Sequence, residues 1–337
     1  MKGLNVVIVG ATGLVGQEFL KILEQRKFPL GSVRLCASDR SIGKKLYLNH
    51  QELEVEETAT DSFQGIDLAL FSAGADVSRY FAPIANKFGA VVVDNSAAFR
   101  LEPGVPLVVP EVNREDAKEH KGIIANPNCS TIEMVMVLNP IHKVNPIKRA
   151  VVSTYQSVSG TGASAVEELS NQAKLILEGK DAPPHVYPHQ IAFNVLPEVD
   201  VFLDNGYTRE EWKMVEEAKK IMHDDDIQIS ATCVRVPVFI GHSEAIHIEL
   251  THPMDPVEVR RILTESPGVK VLDDPALSLY PQPWSVAGLD EVFVGRIRRD
   301  ASHPNGLVMW VTADNVRKGA ALNAIQIAEG LIEEGHI

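Results

Sequence analysis

Three cysteines in 337 residues, Cys36, Cys129 and Cys233, are too few for a disulfide framework and lack the paired spacing of a zinc site. That scarcity points to a reducing cytoplasm and to no bound metal. Long apolar runs are missing as well: no stretch approaches the roughly 20 residues a membrane span requires. The opening Met1-Lys2-Gly3 passes straight into an apolar strand, without the apolar region and cleavage site of a signal peptide. Basic excess is absent too. A formal charge of −13 argues against nucleic acid as a partner, because neutralising phosphates along a duplex needs clustered Lys and Arg. An anionic small molecule would need its own local cations. No repeat or low-complexity segment occurs, and 45% apolar with 23% charged residues are the proportions of a globular chain, here long enough for two domains.

What is present begins at the first strand. Residues 4–9 read as an apolar strand with Asn5 its one polar residue, and Gly10-Ala11-Thr12-Gly13-Leu14-Val15-Gly16 follows before a helical pattern through Phe19, Leu20, Ile22 and Leu23. Strand, glycine turn and helix in this order form a dinucleotide-binding context, in which bare amides at a helix N-terminus meet a pyrophosphate. The spacing is G-x-x-G-x-x-G and not G-x-G-x-x-G, so a tight turn that merely packs a helix on a sheet is the competing reading. A second strand, residues 33–38, ends about 20 residues after the glycines, where adenosine ribose is recognised. Asp39 could accept there from a ribose 2′-hydroxyl, whereas Ser38, Arg40 and Ser41 could hold a 2′-phosphate. Bidentate pairing of arginine with phosphate favours NADP. Further apolar strands at 67–71 and 90–94 run into small or polar residues, predicting a parallel sheet whose C-terminal loops line a cofactor crevice. Arg100, just past one such loop, is either a structural cation or a binder of phosphate.

The stretch Asn126-Pro127-Asn128-Cys129-Ser130-Thr131-Ile132 ends a short apolar strand at 122–125. Ser130 with Glu133 three residues on, before Met134-Val135-Met136-Val137-Leu138, is a capping-box pattern opening an apolar helix. Cys129 is thereby placed at the positive end of a helix dipole, where a thiolate is stabilised and a cysteine pKa can fall. A nucleophile and a small buried hydrophobe fit that local pattern equally well.

From residue 150 the strands lengthen and alternate. Residues 150–156 run into Ser157-Val158-Ser159-Gly160-Thr161-Gly162, small enough for close approach to a ligand. Glu210-Glu211-Trp212-Lys213 opens a charged helix to about Met222, whose charges read as a solvated face. Residues 227–237 alternate as a strand, and Arg235 precedes Gly241-His242-Ser243-Glu244 by the distance needed to return to one end of a sheet. His242, beside a glycine turn at a strand junction, can serve as general acid or base; His247, inside the next strand, reads as structural. Strands at 291–297 and 306–311, then Asp314-Asn315 and a helix at 318–325 with small residues in its opening turn, close the chain. That helix is expected to return over the first sheet.

Taken together, GATGLVG, NPNCSTI around Cys129, YQSVSGTG around Gln156, RVPVFIGHSE from Arg235, DEVFVGRIRRD from Asp290 and DNVRKGAALNAIQIAE at the end resemble the bacterial aspartate-semialdehyde dehydrogenases over essentially the whole chain. The resemblance implies an α/β protein: a Rossmann-like dinucleotide-binding domain (residues 1–128 and 315–337) and an α+β catalytic and dimerisation domain (129–314) of the glyceraldehyde-3-phosphate dehydrogenase-like kind. It implies NADPH-dependent reduction of 4-aspartyl phosphate to aspartate 4-semialdehyde and phosphate, in biosynthesis of lysine, threonine, methionine and diaminopimelate, by a cytoplasmic homodimer or homotetramer. It makes Cys129 the acyl-carrying nucleophile, Gln156 a positioning group, His242 the acid/base and Arg235 the carboxylate clamp. Arg100 and Lys213 become phosphate-binding cations and Glu210 the contact to the substrate amino group, which replaces the reading of that helix start as a solvated face. Gly10, Thr12, Gly13, Leu14, Val15, Ser38, Arg40, Ser41, Ser159, Gly160 and Asn315 become cofactor contacts. Asp39 departs from the family, where an uncharged residue is common. The competing readings are another acyl-phosphate reductase, such as N-acetylglutamyl-phosphate reductase, and a catalytically inactive NADP-binding regulator.

Overall fold

The structure, a computed structural model, describes residues 3–337. Its helices are α1 (Leu14–Gln25), α2 (Ala75–Lys87), α3 (Pro110–Asn113), α4 (Cys129–Val144), α5 (Ala163–Leu177), α6 (Arg209–Met222), α7 (Pro256–Thr264), α8 (Pro283–Val286) and α9 (Leu322–Glu333). The chain divides into two compact units, one running up to Asn128 and resuming at Ala320–Ile337, the other Cys129–Gly319.

In the first unit β1 (Leu4–Val9), β2 (Leu30–Ala37), β3 (Lys45–Leu48), β4 (Gln51–Glu57), β5 (Leu68–Phe71), β6 (Val91–Asp94) and β7 (Ile123–Ala125) form a sheet in the order β3-β4-β2-β1-β5-β6-β7. Every pairing but β3–β4 is parallel. Continuous apolar strands such as LALF and VVVD demand a sheet covered on both faces, and alternation along β1 divides the core accordingly. Val6 and Ile8 pack with residues of α1 and α9, Val7 and Val9 with residues of α2. β2 and β5 flank β1 on opposite sides, so the strand order reverses at β1, and ligands bind beyond the C-terminal ends of strands at such a point. The β3–β4 hairpin, which the apolar pattern did not indicate, turns on Asn49 and His50, both left-handed.

The second unit is built on β8 (Ile147–Gln156), β9 (Gln228–Arg235), β10 (His242–Leu250), β11 (Val269–Val271), β12 (Val292–Arg299) and β13 (Gly306–Ala313), ordered β11-β12-β13-β10-β8-β9. Alternate residues of β8, namely Ala150, Val152, Thr154 and Gln156, are buried, and α4 and α6 pack on this sheet. Tyr155 points the other way and meets Trp310 at 5.2 Å between ring centroids. The register fixes which ends meet: Gln156 pairs with Arg235 in parallel, Tyr155 with Ser243, and His242 with Ala313. His242 is therefore the first residue of a strand, not part of the preceding turn. Arg317–Ala321 forms a π-helical turn before α9, so the anticipated helix at 318–325 is two different elements, and the chain re-enters the first unit at Ala320 rather than at 315.

Candidate active site

Cys129 is the first helical residue of α4 and is half-buried. The expected capping box does not form. Ser130 lies inside the helix, fully buried, and its hydroxyl accepts from Nε2 of Gln156 at 2.6 Å, while Glu133 is buried completely. Gly319 is the close neighbour of the cysteine: a Cβ there would come within 2.8 Å of the Cys129 Cβ.

His242 is fully buried at the start of β10. Its Nδ1 accepts from the backbone N–H of Ser157 at 3.0 Å and lies 3.0 Å from the Ser157 hydroxyl. A backbone amide can only donate, so Nδ1 is unprotonated and a neutral ring carries its proton on Nε2. Nε2 has no partner among the described residues. Burial, and then the neighbouring Arg235 guanidinium, hold the imidazole pKa well below its ordinary value. Gly160 keeps the space before these groups open: a Cβ would stand 2.9 Å from Arg235 Nη1 and 3.1 Å from His242 Nε2. Arg235 itself is buried, with Nη1 donating to the Ser157 carbonyl at 2.7 Å.

Asn315 ties these pieces together. Its Oδ1 accepts from the Ser157 and Ser159 hydroxyls, each at 3.1 Å, and from the Gly241 amide at 2.9 Å. Ser157, absent from the sequence-based site, is thus the residue that orients the histidine. It does so largely through its backbone, which leaves no compositional trace.

The charged start of α6 is not a solvated face. Thr208 and Glu211 form a true capping box, and Glu211 also accepts from the Cys233 amide at 2.9 Å; Glu210, Glu211 and Glu217 are buried. Gln156 Nε2 donates to Glu210 Oε1 at 3.3 Å, and Lys213 Nζ sits 3.2 Å from Glu210 Oε2 and 2.9 Å from Asp200 Oδ2. Asp200 is a second residue that the sequence reading missed. His247, by contrast, meets Asp300 at 3.0 Å in an exposed pair, as a structural histidine would.

In the first unit a cavity of about 490 Å³ opens at the switch point, walled by Gly10, Thr12, Gly13, Ser38, Asp39 and Arg40 together with Glu57, Thr58, Ser72 and Ala73. The start of α1 beside it has no side-chain cap and no acidic residue in its first turn, which leaves its amides open to an anion. Gly10 has φ 88°, and a Cβ would meet the Ser72 carbonyl oxygen at 2.4 Å, so that turn admits only glycine. These features fit a dinucleotide pyrophosphate. Leu14 and Val15 begin α1, and Ser41 is buried with its hydroxyl 3.2 Å from that of Thr12. Asp39 accepts from the Arg40 backbone amide at 2.8 Å, and Arg40 itself lines the cavity. Glu57 and Thr58 were not foreseen. Arg100 is buried in this same unit, with Nη2 donating to the Asn95 carbonyl at 2.8 Å. Among the described residues no cluster of His, Cys, Asp and Glu is arranged to hold a metal, and no helix is long and apolar enough to cross a membrane.

Two family models match, "Semialdehyde dehydrogenase, NAD binding domain" over residues 5–120 and "Semialdehyde dehydrogenase, dimerisation domain" over residues 138–318. An aspartate-semialdehyde dehydrogenase of Aquifex aeolicus is 57% identical over 99% of this chain and 100% of its own length. The chain belongs to the aspartate-semialdehyde dehydrogenase family. Among solved structures, aspartate semialdehyde dehydrogenase II of Vibrio cholerae, complexed with ASA, superposes with a TM-score of 0.96 at 46% identity, covering 99% of both chains. An aspartate semialdehyde dehydrogenase with NADP from Candida albicans superposes at 0.77, with 27% identity over 99% of this chain and 100% of its own. The Rossmann-like and glyceraldehyde-3-phosphate dehydrogenase-like plan expected from the motifs is the plan of this family. The family also makes the chain an NAD(P)-dependent oxidoreductase of small molecules, with a dimerisation domain that marks it as an oligomer-former.

Proposed function

We propose that this chain reduces 4-aspartyl phosphate to L-aspartate 4-semialdehyde and phosphate with NADPH, through a thioester on Cys129. The observation that carries this reading is the meeting of Gln156, Arg235 and the Nε2–H of His242 at one end of one sheet, on the face against which the helix beginning at Cys129 packs. The positive end of α4 favours the thiolate. The thiolate sulfur bonds to the acyl carbon as the bond from that carbon to the phosphate oxygen breaks, and Arg100 and Lys213 take up the charge of the departing phosphate. The dinucleotide, when bound, would supply the hydride that reduces the thioester carbonyl. The oxygen that gains negative charge then accepts a hydrogen bond from His242 Nε2, and its collapse to the aldehyde returns the thiolate. Because His242 is neutral with its proton on Nε2, it acts here as a donor to the oxyanion, the kind of preorganised dipole that stabilises developing charge. Cysteine suits both halves, being a strong nucleophile and also a good leaving group.

Arg235 holds the substrate carboxylate, Glu210 its amino group, and Gln156, fixed between Ser130 and Glu210, positions the reacting carbonyl. Ser38, Arg40 and Ser41 receive the 2′-phosphate of NADP; Gly10, Thr12, Gly13, Leu14 and Val15 form the dinucleotide turn; Ser159, Gly160 and Asn315 complete the cofactor contacts. Residues 129–319 act as the catalytic and dimerisation domain, 1–128 with 320–337 as the NADP domain, in a cytoplasmic homodimer or homotetramer. The test is turnover of aspartate semialdehyde with phosphate and each dinucleotide. Phosphate-dependent NADPH formation, with higher kcat/KM for NADP than NAD, is expected. Turnover of an N-acetylated substrate alone would move the chain to the N-acetylglutamyl-phosphate reductases, and no turnover of either would leave a dinucleotide-binding regulator.

A further inference from the structure

Glu133 and Glu244 are fully buried, and neither oxygen of either carboxyl has a hydrogen-bond partner among the described residues. Both stand next to the reacting groups in the chain. Glu133 lies one helical turn after Cys129 on α4, and Glu244 lies two residues after His242 on β10, on the same face of the sheet. α4 packs on β10, which puts both buried carboxyls between helix and strand, where the charge of Glu244 bears on Glu133.

A carboxylate sealed from water without a donor is among the costliest groups a protein interior can hold, and two side by side cannot both ionise. Burial pushes both carboxyls well above the usual range, and Glu244 and Asp314 push Glu133 further. Asp314 is already occupied, accepting from the amides of Val316, Arg317 and Gly288. Cys233 on β9, the other titratable group that feels Glu244, has its thiol pushed well above the ordinary value by burial and so stays neutral.

We infer that Glu133 and Glu244 hold at least one proton between them at the pH of catalysis, and that their carboxyl–carboxyl hydrogen bond fastens the turn carrying Cys129 to the strand end carrying His242. They are positioning residues, touching neither substrate nor cofactor. The positioning half rests on Cys129 and His242 being the catalytic pair; the proton count does not.

Two measurements on the full chain separate these halves. The first compares urea unfolding of the parent with Glu133→Gln/Glu244→Gln, whose near-isosteric amides can bond to each other but cannot titrate. Between about pH 6 and 8 the folding constant of the parent should fall about tenfold more per pH unit than that of the double variant, for each proton the pair holds. Equal slopes would overturn the proton claim. Infrared spectra of the unmutated protein with carbon-labelled glutamate give the same answer without any variant: a protonated glutamic acid carbonyl band at neutral pH supports the claim, and its absence overturns it. The second measurement is kinetic. Glu133→Ala should lower kcat by about tenfold or more with KM for phosphate and NADP within about twofold, and the double glutamine variant should recover most of that loss. An unchanged kcat in Glu133→Ala would overturn the positioning role and leave the proton count standing on its own test.

Discussion

Gly319→Ala is a substitution whose steric effect and helix propensity point in opposite directions. The φ of Gly319 is not in the left-handed region, so alanine is conformationally acceptable there, and helix propensity alone would favour it by about 1 kcal/mol. The added Cβ, however, would stand 2.8 Å from the Cys129 Cβ, 3.3 Å from its Cα and 3.6 Å from the Asn315 Cβ. Carbon atoms pack at about 3.5–4.0 Å, so the first turn of α4 must retreat by about 1 Å or the π-helical turn must open. Neither side of the contact is the flexible end of a long side chain. Overpacking of this size costs about 1–3 kcal/mol of stability, and a reacting atom displaced by about 1 Å loses about 100-fold in rate. Steady-state kinetics should therefore show kcat reduced by about two orders of magnitude, with a lower Tm and with NADP affinity, measured by fluorescence titration, little changed. A Gly319→Ala enzyme with parental kcat and a raised Tm would show that propensity governs this position and that Cys129 is not held where the structure puts it.

Two further outcomes follow from the same geometry. Arg235→Lys keeps the charge but removes the planar fork, and should cut kcat/KM for aspartate semialdehyde by about 100-fold or more; an unchanged value would remove Arg235 from the substrate site. His242 has its folded pKa depressed, so its contribution to stability is present above about 6.5 and is lost as pH falls from there towards the folded value. Imidazole NMR should accordingly find Nδ1 unprotonated, Nε2 protonated and no midpoint near 6.5; titration at 6.5 would contradict the burial argument.

Much of this site is legible in the residues because local chemistry and tertiary role coincide there. The strand, glycine turn and helix at residues 4–23 need no partner to be recognised, and Arg235 and His242 are brought together by strand register alone. Other readings failed where a distant partner decides the outcome. Ser130 and Glu133 match a capping box in spacing, but the helix begins at Cys129, and both side chains turn inward to meet β8 and β10. The acidic start of α6 looks solvated until Thr208, Gln156, Lys213 and the Cys233 amide supply its partners. Ser157 was invisible for a simpler reason, since its donor to His242 includes a backbone amide that any residue but proline possesses. Glu57 ends, and Thr58 follows, a hairpin strand, QELEVEE, too polar for apolar periodicity to detect.

The central claim is that Cys129 carries the acyl group. Mass spectrometry of the protein incubated with aspartate semialdehyde and NADP in the absence of phosphate tests it directly. An aspartyl adduct that maps to Cys129 and is discharged when phosphate is added is the predicted result. Steady turnover without an adduct, or an adduct confined to Cys36 or Cys233, would contradict the account.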